Sequence, residues 1–260
     1  MLPGHLPGDQ PDFLLTSAAD DGRDLLATAT SDWDRRIPDC PAWNAAELVG
    51  HMGSILAWMA TIITTGRAVA RTDREPPPAG RSTLSAWYEG HLARTLAIMR
   101  QADPSAPAWT FSSRGDHRVG WWHRRLAVEI AIHRWDIQHA TAASTNVPPE
   151  SIGRLVAAAG IGEFLTEFLP GLLETADPRV REGLRGTLHL DPADQHGGLG
   201  PWRVDLDART LTTTDHSPAD TAIRGSCSDL LLWLTNRHPS PGPEILGQAD
   251  VARAWLQLRR

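Results

Sequence analysis

The chain of 260 residues contains no lysine: all 25 of its basic side chains are arginine. Codon bias in a GC-rich genome accounts for this, and the abundance of alanine, glycine and proline agrees. Acidic residues outnumber basic ones, giving a formal net charge of -6. The arginines are scattered rather than gathered into a patch, so a nucleic-acid partner is not expected. Cysteine is scarce too, with two residues. Cys40 and Cys227 lie far apart and form no CxxC pair, which excludes a disulfide framework and a thiolate zinc knuckle and suits a reducing, cytoplasmic compartment. No segment is read as an uncharged apolar run of about 20 residues, so no membrane span is expected. The opening MLPGHLPGDQPD has no basic stretch followed by an apolar one, so no signal peptide is expected either.

What is present is the composition of a folded protein: 41% hydrophobic and 22% charged residues, enough to build a core and not the mixture of a disordered chain. Helical patterning dominates the first part. Residues 11–30 start at a proline and carry Phe13, Leu14, Leu25 and Leu26. The two prolines of IPDCPAW, residues 37–43, require a rigid loop. Asn44 followed by Glu47 has capping-box spacing and opens a helix that should stop at Gly66. Proline-rich residues 67–82 form a linker, and a third helix is expected over 83–102. A Pro-, Ser- and Gly-rich loop follows over 103–119. A fourth helix covers about 120–143, and a fifth runs from about Pro149 to Pro170-Gly171.

Beyond about residue 180 the pattern alternates. GTLHLD (186–191), PWRVDLD (201–207) and ARTLTTT (208–214) read as strands, SCSDLLLWLTNR (226–237) as a helix capped by Ser226, and ADVARAWLQL (249–258) as a short last helix. The expected fold is mainly α with an α+β C-terminal part: a helical bundle over 1–172 and a small α+β domain over 180–260.

The chemistry concentrates in WWHRRLAVEIAIHRWDIQHA, residues 121–140. Glu129 and His133 are four residues apart and share one helix face. Apolar neighbours on either side, among them Leu126, Val128, Ile130 and Ile132, turn that face inward. A buried carboxylate beside a buried imidazole is costly unless paired or bound to a cation. His51 lies on an otherwise apolar helix beside Gly50 and Gly53, which leave room for a close approach. Two imidazole nitrogens and one carboxylate oxygen suit zinc with an open fourth place, although other divalent metals fit the same set. Asp136, three residues after His133, is positioned to orient a ligand from behind. The tryptophans, including Trp43, Trp121, Trp122, Trp135 and Trp233, read as packing before pocket lining. His91 and His123 read as core or surface residues, and Cys40, with no activating base in sequence, does not read as a nucleophile.

IPDCPAWNAAELVGHM, RRLAVEIAIHRWD and DLLLWLTNR with the short last helix together resemble the mycothiol-dependent maleylpyruvate isomerase family. The resemblance spans nearly the whole chain in the expected order. It implies a DinB-like four-helix bundle followed by a domain of sterol-carrier-protein type. It also implies a zinc site at His51, Glu129 and His133, and use of mycothiol, the actinobacterial low-molecular-weight thiol, as cofactor or co-substrate. An arginine of the C-terminal domain would hold a carboxylate substrate; Arg237, closing LLLWLTNR, is the first candidate and Arg224 the second. Relatives often read Ala-His-Glu where this chain has Ala127-Val128-Glu129, which leaves the ligands intact and changes their surroundings. The implied activity is isomerase or S-transferase chemistry on a small electrophilic substrate. The alternatives are a thiol-independent metal enzyme of Lewis-acid or hydrolytic type, and a non-catalytic small-molecule binding protein.

Overall fold

In the computed structural model, residues 11–194, 200–208, 210–213 and 217–258 are described. The N-terminal decapeptide, together with Arg209 and Thr214 of the stretch expected as a third strand, lies outside them. Among the described residues the chain divides into two compact units, residues 11–152 and 153–258.

The first unit is four long helices: α1 (Pro11–Ala29), α2 (Ala45–Thr65), α3 (Arg81–Gln101) and α4 (Val119–Thr145). Helix α1 packs along α4 and α2 along α3, and α1 also touches α2 and α3. Local sequence explains where α2 begins and ends. The Asn44 side chain accepts from the Glu47 amide at 2.9 Å while Glu47 Oε2 accepts from the Asn44 amide at 2.8 Å, a reciprocal capping box. Gly66 closes the helix with φ +69°, a left-handed conformation that a residue without Cβ adopts freely.

Helix α2 corrects one reading of the sequence. It is long and apolar enough to cross a membrane by length and composition, as is the stretch Arg154–Thr175. Its Leu48, Val49, Met52, Leu56 and Ile62 are nonetheless fully enclosed, as befits the core helix of a bundle. Gly53 permits the enclosure: a Cβ there would meet the Trp87 ring at 2.1 Å.

Asn146, also left-handed, ends α4, and the chain is tied down again by a buried cation. Arg134, 3% exposed, donates to Asp21 on α1, to Gln138, and to the carbonyls of Glu150 and Ser151.

In the second unit, α5 (Arg154–Glu163) runs through a π-helical turn at Phe164–Phe168 into α6 (Leu169–Thr175), with α7 (Pro178–Gly183) after it. Helix α5 packs on α8 (Cys227–Leu234), so a helix grouped by sequence with the bundle belongs with the sheet. The reason is its apolar central run: Val156, Ala157, Ala158 and Ile161 need a partner surface, and α8 offers Leu230, Leu231 and Leu234. The strands are β1 (Thr187–Pro192), β2 (Trp202–Asp205), β3 (Thr210–Thr213), β4 (Thr221–Gly225) and β5 (Glu244–Gly247), in the order β3-β2-β1-β4-β5. All neighbours are antiparallel except β1 and β4. Leu188 and Leu190 of β1 pair in register with Val204 and Trp202 of β2, putting one apolar face together. Helices α8 and α9 (Ala249–Gln257) contact this sheet. Ser226 caps α8 in a second capping box with Asp229. Strands β4 and β5 and helix α7 have no counterpart among the elements expected from sequence.

Candidate metal centre

The loop 37–43 is folded on itself by backbone hydrogen bonds: Ile37 amide to Trp43 carbonyl at 3.1 Å, Cys40 to Ile37 at 3.2 Å and Trp43 to Cys40 at 2.8 Å. It sets the Trp43 ring 4.5 Å from the imidazole of His51 on α2 and 5.9 Å from that of His133 on α4. Two contacts hold the loop to α4. Cys40 Sγ donates to Asp136 Oδ2 at 3.8 Å, and His139 Nδ1 meets Asp39 Oδ2 at 2.8 Å.

Around this aromatic wall the two helices bring His51, Glu129 and His133 together. His51 Nε2 is 3.7 Å and His133 Nε2 3.6 Å from the same oxygen, Glu129 Oε1. The imidazole centroids are 5.4 Å apart with planes at 77°. One donor atom from each of the three residues lies within 4.8 Å of both others. A tetrahedral divalent ion with bonds of about 2.1 Å spaces its ligands roughly 3.4 Å apart, so three donors at these separations suit one face of such a site. The donor set of two nitrogens and one oxygen fits zinc and tolerates other first-row divalent ions.

The electrostatics favour the ligand form of each imidazole. Burial pushes the His51 pKa down to about 3, helped by repulsion from His133 and Arg74, so its ring is neutral at physiological pH. His133 Nδ1 lies 2.9 Å from Oδ2 of Asp136, a residue with no solvent exposure. With the ring proton held there, Nε2 carries the lone pair toward Glu129 and His51. Glu129 has its own partner in Arg125, one turn earlier on α4.

The residues singled out from sequence therefore fall into two groups. His51, Glu129, His133 and Asp136 converge in the bundle unit. Arg224 and Arg237 belong to the C-terminal unit. Arg224 Nε donates to Asp191 Oδ2 at 2.8 Å across the β4–β1 pair, and Arg237 Nη1 donates to the Thr235 carbonyl at 2.9 Å. His91 is engaged elsewhere, against the Trp87 ring and Glu75, and His123 is buried with its pKa lowered by desolvation. Sequence reading missed the position of Trp43 over both imidazoles and the Arg125–Glu129 pair. The first carries no local signal. The second was visible, since Arg125 and Glu129 have the same i,i+4 spacing as Glu129 and His133.

Comparison with known proteins gives this geometry a setting. No curated protein matches the chain at a significant level. Its fold is shared by two crystal structures, that of the mycothiol-dependent maleylpyruvate isomerase, 12% identical, and that of a histidine-to-alanine mutant of it, 11% identical. Each superposes with a TM-score of 0.53 over 92% of this chain and 93% of the other. The family model described as the mycothiol maleylpyruvate isomerase N-terminal domain matches residues 15–138, a span that includes His51, Glu129, His133 and Asp136. Over that segment the chain is similar to the mycothiol maleylpyruvate isomerase N-terminal domain family.

Proposed function

We propose that this protein is a cytoplasmic enzyme dependent on a divalent metal, most simply zinc, and on mycothiol, acting as an isomerase or S-transferase on a small electrophilic molecule. One observation carries the reading: two imidazoles and a carboxylate converge on a common point, each imidazole Nε2 within 3.7 Å of the same Glu129 oxygen. A structural zinc site is closed by four protein ligands, whereas a catalytic one keeps a place for substrate or water. Among the described residues the cluster offers three.

The chemistry supplied by such an ion is the deprotonation of a thiol whose free pKa is near ~8.5, giving a nucleophile at neutral pH. The chain's own residues prepare for it. His51 and His133 present Nε2, Glu129 presents Oε1, and Asp136 holds the proton of His133 on Nδ1. The Trp43 ring lies beside both imidazoles and forms an aromatic wall of the site. In the C-terminal unit we assign carboxylate binding to Arg237. Arg224, on β4, ranks second.

Metal analysis of protein purified without chelators tests the ligand set. The wild type should carry close to one equivalent of a divalent ion, and His51→Ala should lose it together with activity. Metal retained by that variant would refute the assignment. Calorimetric titration with mycothiol tests the thiol: heat of binding to the metal-loaded protein is expected, and none to His51→Ala.

A further inference from the structure

The two oxygens of Glu129 have different neighbours. Oε1 faces the Nε2 atoms of His51 and His133, while Oε2 is ion-paired with Nη2 of Arg125. Both partners of that pair are largely withdrawn from water, with side-chain exposures of 12% for Arg125 and 17% for Glu129. Arg125, Glu129 and His133 follow one another at four-residue spacing along one face of α4, and Asp136 comes one turn later. Each metal-binding side chain of α4 thus has a partner of opposite character: a guanidinium behind the carboxylate and a carboxylate behind the imidazole.

A carboxylate with both oxygens available can grip a cation with either one or both. A guanidinium is permanently charged, and its hydrogen bond to a carboxylate oxygen is among the strong ones, more so where water is scarce. Chelation by Glu129 would set the cation and the Arg125 guanidinium in competition for the electron density of Oε2. We propose that Arg125 is a positioning residue that restricts Glu129 to one coordinating oxygen and so preserves the open place at the metal for a thiol. The proposal rests on the metal-site reading above. It differs from an ordinary i,i+4 surface pair in what it predicts: coordination number should change on removing Arg125, whereas a purely helix-stabilising pair would change stability alone.

Cobalt-substituted protein provides the readout, because the intensity of its visible ligand-field bands falls several-fold as coordination number rises. The variants are R125M and R125L, which remove the donor, and R125K, which keeps a cationic one; N-acetylcysteine serves as the thiol probe. R125M and R125L should bind cobalt with weakened bands and should bind N-acetylcysteine about tenfold or more less tightly, the size usual for losing a residue that orients a metal ligand. R125K should recover the wild-type bands. Wild-type bands and wild-type thiol affinity in R125M and R125L would overturn the proposal, as would failure of both to fold, which would make the pair structural. Should the wild type itself take up no cobalt, or H51A bind it equally well, the metal-site reading fails first and independently of Arg125.

Discussion

Asp136 shows how much a single buried side chain decides at this site. It has no contact with solvent, and it sits against both His133 Nδ1 and the Cys40 thiol. Asp136→Asn replaces an acceptor-only group by one that can also donate, and the ring of His133 loses the partner that fixes its tautomer. Zinc affinity, measured by competition with a chromophoric chelator, should fall by about 10- to 100-fold in this variant. His51 makes a second prediction. Its imidazole titrates near 6.5 in the unfolded chain and at about 3 when folded, because burial disfavours its charged form. Below pH 6.5 the unfolded chain takes up a proton that the folded chain refuses until about pH 3. The contribution of His51 is therefore fully present above pH 6.5 and erodes as pH falls from there toward 3. Urea unfolding of metal-free protein at pH 7 and pH 5 should show a loss that is smaller in His51→Gln.

At the scale of elements, the bundle is held by apolar packing between its helices and by a buried polar fork near the middle of α4. The Arg134 fork joins α4 to α1 and to the segment at 150–151. Burial raises the pKa of Asp21, opposed by the attraction of Arg134, so the pair is held at a cost in hydration. Arg134→Met removes the cation and strands a carboxylate that is only 17% exposed. The expected loss is about 3 kcal/mol, toward the lower end for a broken buried pair because Asp21 retains some water contact. Chemical denaturation checks it, and a loss under about 1 kcal/mol would mean the fork is dispensable, as most surface pairs are. The termini of α2 were legible residue by residue: Asn44, Glu47 and Gly66 each carry one local interaction that needs nothing distant. Strands β4 and β5 were not, because TAIRG and EILG are too short for alternation to register, and they exist by pairing with β1 and with each other.

For the whole molecule, a bound ion is a stabiliser only if the folded state holds it and the unfolded chain does not. At a free zinc concentration a hundred times the dissociation constant, the protein should gain about 2.7 kcal/mol. Hydrogen exchange should show that gain in α2 and α4, which carry the three proposed ligands, and chelation with EDTA should remove it. Zinc-independent exchange rates in both helices would contradict the ligand set. The same comparison in His51→Ala separates a ligand effect from a general effect of salt.

The amino-acid sequence alone determined what depends on near neighbours. The Glu129–His133 spacing follows from helical periodicity, the start of α2 from its capping box, and the end from a glycine free to adopt a positive φ. The same interval separates Arg125 from Glu129, a pair that the sequence reading overlooked although side chains four apart on a helix share a face. Only the tertiary structure decided that His51, far away in the chain, meets the other two within 3.7 Å of one oxygen, and that the loop 37–43 lays Trp43 over the pair. It likewise placed α5 with α8 rather than with the bundle. Those outcomes rest on which apolar surfaces bury one another, and burial is a property of the packed chain that no local pattern encodes.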